Sequence, residues 1–321
     1  MFKIVRNALH LGENIRTMAA EVSPPSLGGD LQQQQQQLET RSRERDFYFQ
    51  HFVLAHDRSA LRVCTDSCVF GAYVGRRLEQ LEGVRNVLDV GAGCGVLALM
   101  IAQATAERKT KCVDGEAEEV GIEIDAVEID GPSAEECEYN MRESAWSERL
   151  RVRQCPVQEY AAIEARMHRY QLVVSNPPFY PVASHSNGKD SRRNTALRTN
   201  ALSFEALLQS VAALLSPDGL FMALLPPKQA AELRMLAPSH GLYGIEEVLI
   251  RDQPSTEPHR SISSFKTSPH SPSISSPLQF SIKAASLEYS DDFRSWLADY
   301  YLPDHLLRTP GQKIGHPNFP K

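Results

Sequence analysis

The chain has 321 residues, of which 42% are hydrophobic and 23% are charged, so it can bury one large core or two modest ones. Its net charge of −6 excludes a protein that is basic over its whole surface, and any contact with nucleic acid must therefore come from a local patch. The apolar runs are too short to cross a bilayer and the first 20 residues lack the apolar core of a secretory signal, so we expect a cytoplasmic protein, with import into an organelle left open.

Residues 1–46 differ in composition from the rest of the chain. They contain a proline pair, a glycine pair and six consecutive glutamines at 32–37. Such a segment cannot bury enough apolar surface to order itself. We predict a disordered extension over 1–46, one folded domain over 47–306 and a C-terminal tail over 307–321.

Strands and helices alternate through the folded region. Buried apolar runs predict strands at 85–90, 124–129, 150–154, 172–175 and 220–225. Segments with helical periodicity fall between them, at 95–107, 132–142, 203–215 and 228–237. Because each parallel pair needs a crossover connection, this order predicts a doubly wound α/β fold whose mostly parallel sheet is covered by helices on both faces.

Two more strands are predicted near the C-terminus, at 243–251 and 279–286. The serine- and proline-rich segment 261–277 between them is longer than the connections that compact domains normally use, and we interpret it as a flexible insertion in a hairpin. The acidic tract 108–123 is interpreted as another insertion.

A glycine-rich turn follows the first predicted strand, in the sequence Asp89-Val90-Gly91-Ala92-Gly93-Cys94-Gly95. Glycines at a strand-to-helix turn let a ligand approach the backbone amides. A dinucleotide fingerprint would place its third glycine three residues after the second, whereas Val96 occupies that position here. The spacing therefore favours a nucleoside ligand without a pyrophosphate, bound by Gly91 and Gly93.

Two acidic residues, Glu128 and Asp130, stand at the end of the next predicted strand. A carboxylate in this place can accept two hydrogen bonds from a ribose diol. We assign the ribose to Glu128. Asp130 has a second interpretation, as the cap of the helix that begins near Pro132.

The sequence Ser175-Asn176-Pro177-Pro178-Phe179-Tyr180 follows the fourth predicted strand, at the edge where open α/β sheets bind ligands. The Asn176 side-chain oxygen and the Pro177 carbonyl can each accept a hydrogen from a planar amine and so aim its lone pair at a methyl group. Phe179 can stack on a base, which contributes roughly 1–3 kcal/mol. This pattern predicts methylation of an exocyclic amino nitrogen without a strong general base; the competing interpretation is a plain proline-rich turn.

The six cysteines form no CxxC pair and lack the histidine spacing of a zinc site. We expect reduced thiols, several of them buried, and no metal.

The motifs together resemble the bacterial tRNA adenine methyltransferases that modify the adenine next to the anticodon of a valine tRNA, within the class I methyltransferase superfamily. The resemblance covers about residues 47–302. It is carried by Phe47-Tyr48-Phe49-Gln50-His51-Phe52, His56-Asp57-Arg58, Thr65-Asp66, Asp89-Val90-Gly91-Ala92-Gly93, Val127-Glu128-Ile129-Asp130, Ser144-Ala145-Trp146, Asn176-Pro177-Pro178-Phe179, Pro258-His259-Arg260 and Asp299-Tyr300-Tyr301-Leu302.

The resemblance implies S-adenosylmethionine as cofactor, with Thr65 and Asp66 over its methionine end, Asp89 near its amino group and Glu128 on its ribose. It also implies that Asn176 borders both cofactor and acceptor, and that the sheet has seven strands with an antiparallel last strand.

The expected partner is RNA, most simply a tRNA modified at position 37, with no membrane and no obligate protein partner. The segment after the acceptor motif is locally basic, and we predict RNA contacts from Tyr180, Lys189, Arg192, Arg193 and Arg198. Two alternatives stay open: a protein glutamine N5-methyltransferase, since the same Asn-Pro-Pro motif can hold an amide nitrogen, and a catalytically inactive RNA-binding relative.

Overall fold

The computed structural model describes residues 46–106, 121–164, 170–177, 202–269 and 276–307. The predicted N-terminal extension, apart from Asp46, and the C-terminal tail, apart from Leu307, lie outside these ranges, as does most of the acidic insertion at 108–123. Within them, no helix is both long enough and apolar enough to span a membrane.

The centre of the domain is an eight-stranded sheet. Its strands are β3 (Asn86–Val90), β4 (Glu123–Glu128), β5 (Leu150–Gln154), β6 (Tyr170–Ser175), β7 (Leu215–Leu225), β8 (Tyr243–Arg251), β9 (Arg260–Lys266) and β10 (Leu278–Ser281). They lie in the order β10-β8-β9-β7-β6-β3-β4-β5, and all neighbours are parallel except β9, which is antiparallel to both β7 and β8. Two short strands, β1 (Phe47–Tyr48) and β2 (Val53–Leu54), pair separately.

Eight α-helices accompany the strands in the described ranges. They are α1 (Thr65–Glu79), α2 (Val96–Ala104), α3 (Gly131–Arg142), α4 (Val157–Glu164), α5 (Phe204–Leu214), α6 (Pro227–Leu236), α7 (Asp291–Leu297) and α8 (Pro303–Leu307).

Both faces of the sheet are covered, as the doubly wound prediction requires. Along β7, Leu220, Met222 and Leu224 belong to one buried cluster, which also contains the apolar residues of α1, α2 and α7. Phe221 and Ala223 alternate with them and belong to a second cluster, with residues of α4, α5 and α6. Side chains of a strand point to opposite faces in turn, so this alternation places one core on each side. The predicted fold class is confirmed.

The predicted insertion at 261–277 is wrong over its first part, because residues 260–266 form β9 in the middle of the sheet. The serines of this segment favoured the prediction of a loop, yet Ser261 and Ser263 are fully buried. Ser261 donates a hydrogen bond to Glu247 (2.8 Å), and the Ser263 hydroxyl lies 3.4 Å from the Arg234 guanidinium. Small hydroxyl side chains therefore fit a crowded central strand once their polar atoms are paired.

The described sheet has eight strands, whereas the resemblance implies seven. The antiparallel strand that the resemblance implies is present as β9, but β10 adds an eighth strand beside β8. It covers only residues 278–281, whereas a strand was predicted over 279–286.

Helix α1, which the sequence patterns did not predict, packs against α2. A Cβ on Gly71 would lie 2.5 Å from Met100 Sδ, and a Cβ on Gly75, one turn later, would lie 3.2 Å from Ala104 Cβ, one turn further along α2. The two helices therefore run parallel at close range. Their N-termini lie side by side, at the same edge of the sheet as the glycine-rich turn.

Candidate functional site

The carboxyl ends of three neighbouring strands define the candidate site. Val90 at the end of β3 is in register with Val127 of β4 on one side and Ser175 of β6 on the other. The residues that follow are Gly91, Glu128 and Asn176. The chain continues from β3 to β4 on one side and returns to β6 on the other, and such a switch point is where open α/β sheets bind ligands.

The glycine-rich turn needs glycine for backbone reasons. Gly91, Gly93 and Gly95 have φ of 73°, 57° and 86°, in the left-handed region that L side chains rarely adopt. A Cβ on Gly91 or Gly93 would meet nothing within 4 Å, so the space over the turn is open to a ligand. A Cβ on Gly95 would lie 2.8 Å from Cys137 Sγ, so the third glycine instead permits close packing on α3.

The Glu128 carboxylate is buried and is hydrogen-bonded to this turn. Its Oε2 accepts a hydrogen bond from the Gly93 amide (2.8 Å), and its Oε1 accepts one from the Asp130 amide (2.8 Å). Burial raises the pKa of Glu128, while these two amides oppose the shift. Each oxygen retains a lone pair, so the carboxylate can still accept from a ribose diol.

Asp89 lies under the turn and is fully buried. Its Oδ2 accepts a hydrogen bond from the Ala98 amide in α2 (3.3 Å), whereas Oδ1 has no hydrogen-bond partner among the described residues. Burial raises the pKa of Asp89 to about 7, the nearby Glu128 carboxylate adds to this effect, and the Ala98 amide opposes it. An unsatisfied buried oxygen here has capacity for one more donor.

Asp130 is a helix cap, as its second interpretation predicts. Its Oδ2 accepts hydrogen bonds from the Ser133 amide (3.0 Å) and the Ser133 hydroxyl (2.6 Å) at the start of α3. It supports the helix that follows Glu128.

Thr65 and Asp66 form the first turn of α1, beside the glycine-rich turn. Asp66 lies 3.0 Å from His259 Nε2 through Oδ1 and 3.3 Å from Arg260 Nε through Oδ2. His259 precedes β9 and Arg260 begins it, at the carboxyl edge of the sheet. The sequence showed them only as part of a shared tripeptide, and their link to Asp66 required the fold.

The acceptor motif is described only at its start. Asn176 is half-buried and Pro177 is buried. The Ser175 hydroxyl donates to the Val90 carbonyl (2.8 Å), which ties the end of β6 to the end of β3. The other predicted acceptor and RNA-binding residues lie outside the described residues, and they are Phe179, Tyr180, Lys189, Arg192, Arg193 and Arg198.

The described part of the chain contains no group of three or more His, Cys, Asp or Glu side chains that could hold a metal ion. Cys68, Cys94 and Cys137 are buried free thiols, Cys155 is half-buried and Cys64 is exposed.

Known proteins match this chain along most of its length. The family model for the methyltransferase small domain matches residues 76–198. A tRNA1(Val) (adenine(37)-N6)-methyltransferase from Yersinia enterocolitica serotype O:8 / biotype 1B is 33% identical over 80% of this chain and 92% of the relative. The chain belongs to the tRNA1(Val) (adenine(37)-N6)-methyltransferase family. A further relative of that name, from Serratia proteamaculans (strain 568), is 34% identical over 80% of this chain and 89% of its own length. Among solved structures, a SAM-dependent methyltransferase from Agrobacterium tumefaciens matches at 14% identity and a TM-score of 0.48, over 70% of each chain.

Membership of this methyltransferase family implies S-adenosylmethionine as the methyl donor, and the residues present fit it. The open space over Gly91 and Gly93 admits a nucleoside. Glu128 offers acceptor lone pairs at the neighbouring strand end, and Asp89 Oδ1 offers one unsatisfied acceptor below the turn.

Proposed function

We propose that this protein transfers the methyl group of S-adenosylmethionine to the exocyclic nitrogen N6 of an adenine in tRNA, at position 37 next to the anticodon. The main support for the proposal is the register of three neighbouring strands. Gly91, Glu128 and Asn176 stand side by side at the carboxyl ends of β3, β4 and β6. The cofactor residues and the acceptor residue thus share one edge. Relatives named for the adenine-37 reaction support the choice of substrate.

The cofactor supplies an electrophilic methyl group on a sulfonium. Glu128 holds the ribose while its bond to the Gly93 amide keeps the turn in place. Asp89 provides a buried acceptor for the amino group at the methionine end. Binding energy from these contacts fixes where the methyl group sits.

On the acceptor side, the Asn176 side-chain oxygen and the Pro177 carbonyl accept the two hydrogens of the adenine amine. This arrangement aims the nitrogen lone pair along the line of transfer, and the rate arises from that orientation. Formation of the N–C bond would break the C–S bond of the sulfonium and leave a neutral thioether, and the extra proton on the nitrogen would then pass to water, so no strong base is needed. Phe179 stacks on the base, and Tyr180 with the basic residues after it contacts the RNA.

The proposal is tested in cells that lack the protein. Nucleoside mass analysis of their RNA should show loss of N6-methyladenosine confined to one tRNA pool. Reintroducing the parent should restore it, and reintroducing an Asn176→Ala variant should not. A methylated-adenosine content that does not depend on the protein, or a change in glutamine methylation instead, would contradict the assignment.

A further inference from the structure

One face of α3 carries three buried polar side chains that have no place in the reaction described above. Ser133, Glu136 and Asn140 are three and four residues apart, so they share a helix face, and each is about 1% exposed. Buried polar groups persist where they are hydrogen-bonded. All three contact the segment Ala55–Ala60, which we call the entry segment.

Glu136 binds backbone amides of the entry segment. Its Oε1 accepts hydrogen bonds from the amides of Asp57 (3.0 Å) and Arg58 (3.1 Å). Its Oε2 accepts from the Ser59 amide (2.8 Å) and the Ser59 hydroxyl (2.7 Å). Three consecutive amides therefore converge on one carboxylate, which fixes the shape of the segment without using the side chains of Asp57 and Arg58.

Asn140 joins the entry segment to the glycine-rich turn. Its Oδ1 accepts from the Ala55 amide (2.9 Å), and its Nδ2 donates to the carbonyls of Ala55 and Cys94 (2.8 Å each). Ser133 holds the other end of the entry segment. Its hydroxyl oxygen accepts a hydrogen bond from the Ala60 amide (3.1 Å), and its hydroxyl group donates one to Asp130.

The entry segment leads directly to the cofactor residues of α1. His56 Nδ1 accepts from the Val63 amide (3.1 Å), which closes the loop just before Thr65 and Asp66. The same helix α3 begins at the Asp130 cap, two residues after Glu128. Helix α3 thus borders Glu128, the glycine-rich turn and the segment that leads into α1.

We infer that Ser133, Glu136 and Asn140 are positioning residues that set the affinity for the cofactor, by holding the entry segment, and with it Thr65 and Asp66, against the glycine-rich turn. This inference rests on the proposed binding of S-adenosylmethionine. It also gives a role to the shared His56-Asp57-Arg58 motif. The His56 imidazole closes the loop, and the backbone amides of Asp57 and Arg58, with that of Ser59, bind Glu136.

The test compares Glu136→Gln with Glu135→Gln in the full chain. Glu135 is the neighbouring residue of α3, is exposed, and forms an ion pair at the surface with the Arg58 side chain. The amide of Glu136→Gln has one oxygen in place of two, so hydrogen exchange at residues 57–59 should accelerate in the protein without cofactor. The dissociation constant for S-adenosylmethionine, measured by calorimetry, should rise about tenfold, since a hydrogen bond to a charged group is lost. At saturating cofactor, kcat should stay within about twofold of the parent, and Glu135→Gln should match the parent in all three measurements.

A purely structural role predicts another result, namely lower thermal stability with an unchanged dissociation constant for the folded protein. That result would overturn the inference, as would equal losses in kcat and affinity. If Glu136→Gln does not fold, Ser133→Ala replaces it, with an expected rise of about threefold in the dissociation constant. A parent protein that does not bind S-adenosylmethionine would contradict the proposed function itself, whereas a parent that binds and a variant that binds equally would contradict this inference alone.

Discussion

Strand β4 carries two buried carboxylates, Asp125 and Glu128, whose hydrogen-bond donors differ. Asp125, at the amino half of the strand, accepts from the hydroxyls of Tyr170 (2.5 Å) and Tyr160 (3.3 Å), which belong to β6 and α4. Glu128, at the carboxyl end, accepts from backbone amides of two turns. Hydrogen bonds from packed side chains connect secondary-structure elements within the core. Hydrogen bonds from backbone amides of turns fix the conformation of those turns at the edge of the sheet. The first carboxylate should therefore govern stability and the second should govern binding.

The largest expected effect falls on Asn176, at the same edge as Glu128. Asn176→Ala should lower the rate of methyl transfer by at least about 100-fold, because we propose that its side chain orients the acceptor nitrogen. Affinity for S-adenosylmethionine should stay within about twofold. Single-turnover rates and calorimetry check this, with Asn86→Ala at the start of β3 as the matched control. Equal losses of rate and affinity would instead indicate a residue of a structural turn.

Glu128→Ala should weaken binding of S-adenosylmethionine by about 1.5–3 kcal/mol, since it removes the carboxylate that we propose binds the ribose and frees the Gly93 amide. Calorimetry measures the change. Glu123→Ala, at the other end of β4 with an exposed partner in Arg151, should bind like the parent. An unchanged affinity in Glu128→Ala would show that the ribose is held elsewhere.

Asp125→Ala should lower the stability of the fold and leave the affinity for the cofactor unchanged. Removing the shared acceptor leaves the Tyr160 and Tyr170 hydroxyls without their carboxylate in a buried place, and the free energy of unfolding should fall by about 1–3 kcal/mol. Denaturant titration measures this. The folded variant should bind S-adenosylmethionine like the parent, and a tenfold loss of affinity would remove the distinction between the two carboxylates.

Asp89 adds a pH dependence to the carboxyl edge. Its pKa of about 7 in the folded protein lies above the ordinary aspartate value of about 4, so the folded state holds the proton more tightly. Its contribution to stability is therefore complete below about pH 4 and is lost as the pH rises through about 7. The Asn side chain in Asp89→Asn can still accept a hydrogen bond from the Ala98 amide. The free energy of unfolding of this variant should therefore decline less than that of the parent over this pH window. Denaturant titrations at several pH values, without cofactor, would contradict this if the two proteins declined equally.

The smallest effect is expected in the basic segment after the acceptor motif. Replacing Arg192 and Arg193 by Ala should weaken tRNA binding and make its salt dependence shallower by about two, because each phosphate contact contributes close to one unit. Cofactor affinity should not change. The same replacement of Arg151 and Arg153, on the far edge strand β5, is the control. Parallel salt lines for the variant and the parent would assign the segment to solvent.

The sequence predicted the parallel part of this fold closely because the relevant signals are local. Strands β5 and β8 have the predicted bounds, 150–154 and 243–251, and β3, β4, β6 and β7 differ from theirs by one to five residues at an end. Strand β9 was missed because its serines resemble a loop, and their contacts with Glu247 of β8 and Arg234 of α6 become evident only once the chain is folded.

The candidate site divides in the same way. Gly91, Glu128 and Asn176 could be selected from the sequence, since each stands at the carboxyl end of a strand and carries a recognisable chemistry. The roles of His259 and Glu136 could not, because Asp66 and the entry segment lie 193 and about 80 positions away from them, respectively. Only the packing of α1, β9 and α3 brings those groups together.

We propose that one edge of the sheet holds S-adenosylmethionine beside an adenine amine of tRNA. The most direct measurement is methyl transfer by the purified protein to total tRNA, followed by mass-spectrometric location of the added group. We expect N6-methyladenosine at position 37 of a single tRNA species, formed by the parent and absent with Asn176→Ala. Transfer to any other atom or to protein glutamine, or a parent that binds the cofactor but methylates no tRNA, would contradict the account.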